Sequence, residues 1–377
     1  MLLFTIYYLI SPILFILLLI ISLFNKKIRI LLQKQKKSVQ KIKSKLNTDK
    51  KKIIIHAASA GEYEQIKPLL KTIDKNLYFT IITCMSPTIY KSINEDKLSD
   101  TCCYHPFDFP WNPKKFFKIT SPSIYLTTRH DIWPMHLYAA KKMKIRTMII
   151  NANLYKKSNR LKWYIINFTK YIFNLFDLIM VPSKRIQHIF NETLQINNTH
   201  IVSDTRFEQI MNRKKESNGI PQIESIYKQN NVIFGSVSYE DLKLFDTPMH
   251  RDGHVGTTII IVPHEIDSNL IEKIEKKIED NPMPDWQRGP VVRFSHLEEN
   301  PFVTDDFKRR ISFLIVDKVG ILPELYKYTK IAYVGGGFGK GVHCTTEPLI
   351  YNNVVCYGPN IDLLNEAKEM HEKGCGF

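Results

Sequence analysis

Cysteine is scarce in this chain and shows no order. Cys84, Cys102, Cys103, Cys344, Cys356 and Cys375 include no C-x-x-C pair and so no zinc signature, and with the cytoplasmic placement argued below they are expected to be reduced and mostly buried. Glycine is thin as well, with fifteen in 377 residues, and five of them fall between Gly335 and Gly341. That cluster matches neither a Walker A loop nor a G-x-G-x-x-G fingerprint, so it does not by itself signal NTP hydrolysis or a dinucleotide. Acidic residues are absent before Asp49, and basic residues before Lys26. What is present argues for a folded chain. Hydrophobic residues make up 44% and charged residues 24%, which excludes bulk disorder and collagen-like or mucin-like classes.

Residues 2–24 are uncharged and span about 34 Å as a helix, enough to cross a bilayer core. Pro12 is tolerable inside such a helix. No basic n-region and no small-residue cleavage site accompany the run, so a retained anchor is expected rather than a cleaved signal peptide. Residues 25–52 then carry twelve Lys or Arg against Asp49, and supply +11 of the formal +16. By the positive-inside rule everything after residue 25 lies in the cytoplasm. The segment reads as a surface for anionic headgroups, worth about 1 kcal/mol per basic residue, as a solvated helical spacer, or as both. The other 349 residues hold only +5. A nucleic-acid partner is therefore not expected.

From Lys51, β-rich runs alternate with helical patterns as in a wound parallel sheet. Strands are expected at Ile53–His56, Tyr78–Thr83, Ser123–Leu126, Arg146–Ile150 and Leu178–Val181, with helices at Tyr63–Ile73 and Pro134–Met143 among them. A polar stretch with Asn218-Gly219 and Pro221 reads as a linker over 212–230. A second series follows at Asn231–Phe234, Thr257–Val262, Val291–Phe294, Ser312–Val316, Ile331–Val334 and Val354–Tyr357. The fold class is α/β, with an anchor (1–24), a basic segment (25–50) and two Rossmann-like domains (51–211 and 231–377). Residues 239–256 read as a loop or insertion. Ligands of such sheets bind at the carboxyl ends of the strands, so a cleft between the domains is the default site.

The Gly335–Gly341 loop follows a strand and leads toward a helix near Thr346, where side-chain-free backbone can approach an anion; a structural turn is the other reading. Glu347 is either a helix-start acid favoured by the dipole or an acceptor of ribose hydrogen bonds. Ser59-Ala60-Gly61-Glu62 follows the first soluble strand, with Gly61 allowing a turn. Glu62 is either a general base or an ordinary helix-start acid. His56 reads as core. His264, in Pro263-His264-Glu265, binds a phosphate or caps a helix, and Ser236 after Gly235 has the same two readings.

In this order, the junctions resemble the 3-deoxy-D-manno-oct-2-ulosonic acid (Kdo) transferase family of lipopolysaccharide synthesis. The resembling pieces are His56-Ala57-Ala58-Ser59-Ala60-Gly61-Glu62, Thr83–Thr88, Pro106-Phe107-Asp108-Phe109-Pro110 and Asp131-Ile132-Trp133-Pro134. Asn151-Ala152-Asn153-Leu154, Asp204-Thr205-Arg206-Phe207, Pro263-His264-Glu265, the glycine loop with His343 and Glu347-Pro348, and Tyr357-Gly358-Pro359-Asn360 continue the set. The resemblance implies a GT-B fold and metal-independent transfer of Kdo from CMP-Kdo to a lipid A precursor at the inner membrane, with no cofactor. It puts the general base on Glu62, assisted by Asp131, and acceptor contacts on Ser59 and Gly61. Donor contacts fall on Ser236, His264, Gly336, Gly337, Gly339, Gly341, His343 and Glu347. Another GT-B transferase with a different nucleotide sugar and lipid acceptor, or a silent GT-B scaffold, are the alternatives.

The chain departs from the family pattern in places. Arg129-His130-Asp131 replaces a Glu-x-Glu, Ala152-Asn153-Leu154-Tyr155 lacks the family's Arg, Cys344 replaces an Asn, and Ile89 replaces a Gly. The chain also ends earlier than is usual, which implies that a last helical segment is missing. These departures read as a divergent sugar or acceptor, a fragment, or reduced activity.

Overall fold

The structure is a computed structural model that describes residues 2–224, 231–247, 257–283, 289–300 and 303–376. It divides into two compact units, Met1–Gln209 and Ile210–Phe377.

Unit 1 opens with α1 (Leu2–Phe24), the one helix among the described residues that is long and apolar enough to cross a membrane. Its outer face is bare, with Leu2, Leu9, Leu23 and Phe24 all exposed. The other face is part of the fold. Phe4 is buried against Tyr138 and Tyr171, with ring centroids 5.2 and 5.1 Å away, and Phe15 packs on Phe109 and Trp111. Tyr7 Oη donates to the Asp108 carbonyl at 2.9 Å.

The basic segment forms α2 (Lys26–Lys43), and the structure corrects its reading as a solvated spacer. Gln35, Ser38 and Ile42 are buried at helical spacing, while Lys34, Lys36, Lys37, Lys41 and Lys43 are exposed. The buried face covers an edge of the sheet formed by β1 (Lys51–His56), β2 (Tyr78–Cys84), β3 (Thr101–Tyr104), β4 (Ile124–Thr128), β5 (Arg146–Ile150), β6 (Leu178–Val181) and β7 (Thr199–Ile201). Ser38 Oγ accepts from the Tyr104 N–H at 3.0 Å and Gln35 Nε2 donates to the His105 carbonyl at 2.6 Å. The donor of an edge strand that would otherwise template aggregation is thereby satisfied.

The sheet runs β3-β2-β1-β4-β5-β6-β7, all parallel. Parallel strands buried on both faces need continuous apolar runs; Ile53, Ile54 and Ile55 of β1 are all buried. Because β2 lies on one side of β1 and β4 on the other, the winding reverses between β1 and β4. Such a reversal is where ligands of open α/β sheets bind, outside the carboxyl ends of the strands.

Unit 2 repeats the plan with β8 (Val232–Val237), β9 (Ile259–Pro263), β10 (Val291–Arg293), β11 (Phe313–Ile315), β12 (Ile331–Val334) and β13 (Val354–Tyr357). Their order, β10-β11-β9-β8-β12-β13, reverses between β8 and β12. Two Rossmann-like units in tandem are the GT-B type. The polar run expected to be a linker starts inside the helix Thr205–Glu216 and includes the short helix Pro221–Glu224; residues 225–230 lie outside the described residues. Arg213 in this run pairs with Glu324 at 2.7 Å. Within the segment read as a loop, Tyr239–Asp246 form a 3-10 helix, and 248–256 lie outside the described residues.

Candidate functional site

Each unit gathers its chemistry at its own reversal point. In unit 1, β1 ends at His56 and the chain enters α3 (Ala60–Thr72) through a capping box. Ser59 Oγ accepts from the Glu62 N–H at 3.3 Å, while Glu62 Oε2 accepts from the N–H groups of Ala58 at 2.8 Å and Ser59 at 3.1 Å. The two readings of Glu62 are thus compatible, because both capping bonds go to Oε2 and the side chain is only half-buried. Burial raises the Glu62 pKa above the ordinary carboxylate value and the charge of Asp131 adds to the rise, against the pull of those two N–H groups and of His56. A carboxylate with raised proton affinity beside a second carboxylate suits proton uptake from a hydroxyl. Gly61 does not make the expected turn. It lies within α3, has no positive φ, and a Cβ there would meet open space.

Asp131 comes from the loop after β4, the strand next to β1, so the reversal of winding brings it to Glu62 across 69 positions of sequence. The turn before it is tight, with Arg129 at φ 52°. Arg160 Nη2 donates to the His130 carbonyl at 2.8 Å, and its charge reaches Asp131. Burial, reinforced by Arg129 and Arg160, brings His130 down to about 4, which keeps its ring neutral at cellular pH. Composition and spacing gave no sign of Arg160, since the contact depends on how the loop after β5 folds back.

In unit 2, Ser236 sits at a bulge near the end of β8 with φ 56°, a conformation that costs energy for a residue with a side chain. Gly335, directly after β12, packs against it: a Cβ on Gly335 would lie 2.1 Å from the Ser236 carbonyl oxygen. Gly336 and Gly341 have φ of 86° and 144°, and a Cβ on Gly337 would strike the Gly358 backbone. The loop is therefore specified by close packing. Most of its amides are also engaged. Gly335 donates to Gly235, Gly336 to Asp241, Gly339 and Gly341 to the Gly336 carbonyl, and His343 to Gly335. This corrects the expectation that Gly336, Gly339 and Gly341 offer N–H groups to an anion. Those glycines shape the loop, and Gly337, Phe338 and Lys340 have the amides that these bonds leave over.

His264 and His343 meet face to face, with ring centroids 4.1 Å apart, and burial together with His264 lowers the pKa of His343. The helix that carries Glu347, Thr346–Ile350, has five residues, so its dipole is slight. Glu347 lies near the buried Tyr326, whose hydroxyl would be 2.5 Å from a Cβ on Gly235.

Sequence reasoning missed Asp241. Fully buried, it accepts from Ser238 N at 2.8 Å, Ser238 Oγ at 2.7 Å, Tyr333 Oη at 2.6 Å and Gly336 N at 3.0 Å, and so ties the 3-10 turn, β12 and the glycine loop together. The signal was the Ser238-x-x-Asp241 spacing of a capping box.

Residues 30–209 match the family model of the 3-deoxy-D-manno-octulosonic-acid transferases. A 3-deoxy-D-manno-octulosonic acid transferase of Aquifex aeolicus is 27% identical over 341 residues, which cover 89% of this chain and 84% of that protein. One of Chlamydia muridarum is 22% identical over 81% of this chain and 70% of its own length. Among solved structures, a UDP-GlcNAc 2-epimerase from Neisseria meningitidis bound to UDP-GlcNAc superposes with a TM-score of 0.57 at 12% identity, over 86% of each chain; that likeness is one of fold. With the family model covering unit 1 from within α2 to its end and relatives of 22–27% identity running on through unit 2, the chain resembles the 3-deoxy-D-manno-octulosonic acid (Kdo) transferases, a family of glycosyltransferases, across both units.

Proposed function

We propose that this glycosyltransferase moves Kdo from CMP-Kdo to a lipid A precursor, with Glu62 as general base. The observation that carries the assignment is the placement of Glu62. It is tied at Oε2 by two backbone N–H groups, raised in pKa, and set beside Asp131 at the reversal point of unit 1. In the reaction, Glu62 takes the proton of the acceptor hydroxyl as that oxygen bonds to the anomeric carbon. The bond from that carbon to the CMP phosphate breaks, and its electron pair leaves with the phosphate. Ser236, His264, His343, Glu347 and the loop around Gly337 form the donor site in this reading, and Ser59 and Gly61 border the acceptor. Arg160 takes the anion-holding part left by the missing Arg at Asn153. The chain is held at the inner membrane by α1, with both units in the cytoplasm.

Calorimetry on the full chain in mild detergent tests the donor. CMP is expected to bind in preference to UDP, and Glu347→Ala to abolish that binding; preference for UDP would overturn the donor assignment. The acid pair makes a second prediction. Asp131→Asn removes the like charge that helps raise Glu62, so Glu62 ionises at lower pH and the acidic limb of kcat/KM moves downward. An unmoved limb in the pH–rate profile would remove Asp131 from the site.

A further inference from the structure

Behind Glu62 and Asp131 stands a column of buried aromatic nitrogen rings. His56 Nε2 lies 2.5 Å from Asp131 Oδ2, an ion-pair contact off the line of a hydrogen bond. Its Nδ1 meets the Thr83 carbonyl at 3.1 Å and Thr83 Oγ1 at 2.9 Å. The His56 ring packs on His105, with centroids 3.9 Å apart, and His105 packs on His136 at 4.1 Å. Trp133 touches all three rings. The far end is fixed too, since His105 Nε2 meets Tyr125 Oη at 2.9 Å and His136 Nδ1 donates to Asp108 Oδ1 at 2.7 Å. All three histidines are fully buried. Nothing in the reaction as derived above uses them.

We infer that His56 is a positioning residue for the transfer, holding Asp131 beside Glu62 while His105, His136 and Trp133 fix its ring. At 2.5 Å two lone pairs repel, so the contact is between a proton-bearing Nε2 and the carboxylate. The rings behind it are held toward the neutral form. Burial and the neighbouring imidazoles push His105 far below its ordinary pKa, and burial lowers His136 despite Asp108. The charged and titratable groups around Glu62 are thus Asp131 after β4, Arg160 after β5 acting on Asp131, His56 on β1, His105 after β3, and His136 with Asp108 behind it. His56 opposes the effect of Asp131 on Glu62, and it also fixes where that effect originates.

The inference rests on the reading of Glu62 as base, and pH–rate profiles of the full chain in detergent, with CMP-Kdo and a lipid A precursor, separate the two. His56→Gln is expected to lower kcat on the order of tenfold to a hundredfold, as a displaced catalytic group does, with KM for the donor little changed. Its acidic limb moves to higher pH, opposite to Asp131→Asn, because Asp131 is left uncompensated. Thr83→Val removes only the hydroxyl partner of Nδ1, and is expected to cost about fivefold in kcat with a limb shift in the same upward direction. A His56→Gln protein with unchanged melting and CMP binding that keeps the parent rate and limb overturns the inference. If His56→Gln does not fold, an unchanged Thr83→Val profile overturns it. Full activity in Glu62→Gln would instead overturn the base assignment, whatever His56 does.

Discussion

Glu62→Gln is expected to reduce transfer about a thousandfold, close to 4 kcal/mol of barrier, with folding and CMP binding intact. Glutamine at this position still closes a capping box, since its carbonyl oxygen can accept from the Ala58 and Ser59 N–H groups that Oε2 accepts from now. The start of α3 therefore survives, and what disappears is a group able to take a proton. A structural role for Glu62 predicts the reverse pattern, a lowered melting temperature and modest kinetic change. Steady-state rates and a thermal melt on one preparation decide between them; a loss below tenfold with normal folding would end the case for Glu62 as base.

The second large effect lies in unit 2. Asp241→Ala strands the buried Tyr333 hydroxyl and the Gly336 N–H, and breaks both bonds from Ser238. Buried donors left without partners cost about 1–3 kcal/mol each, so a destabilisation of roughly 3–5 kcal/mol is expected, and CMP affinity should fall as the glycine loop loosens. Asp241 also implies a pH dependence. Although burial opposes it, the hydrogen bonds from Tyr333, Gly336 and Ser238 hold its pKa below the ordinary carboxylate value. Its contribution is therefore complete above the unfolded-state value and lost as pH falls through the lower folded-state value. Denaturant titrations across the acid range should show this loss in the parent chain and its absence in Asp241→Asn. Equal stability of Asp241→Ala and parent would show that the loop is held by packing alone.

The parts of the fold that were legible are those written in short-range pattern. Ile53–His56 and Arg146–Ile150 read as strands because apolar runs of that length bounded by polar turns have few other fates. β3 was overlooked because Thr101-Cys102-Cys103-Tyr104 is a short run without the Ile, Leu and Val that mark the strands that were read. In α2 the buried positions Gln35, Ser38 and Ile42 do recur at helical spacing, but the lysines around them masked a docking face. Glu62 and Asp131 were each visible at a strand end, yet their proximity comes from β4 pairing with β1, a property of strand order. His105 and His136 carry no local mark. One is made functional by a ring 49 positions away, the other by a carboxylate 28 positions away.

The docking of α1 has a practical side. A soluble preparation begun after Phe24 would remove a core aromatic, Phe4, and strip Tyr138 and Tyr171 of the Phe4 ring and Phe109 and Trp111 of the Phe15 ring that pack on them. It would also sever the Tyr7 bond to Asp108, which receives the first N–H groups of the helix leading from the Asp131 loop. Harsh detergents compete for the same aromatic face. Activity lost on extraction would then report a loosened protein rather than a missing lipid, and gentle amphiphiles or nanodiscs are the media in which this enzyme should be handled.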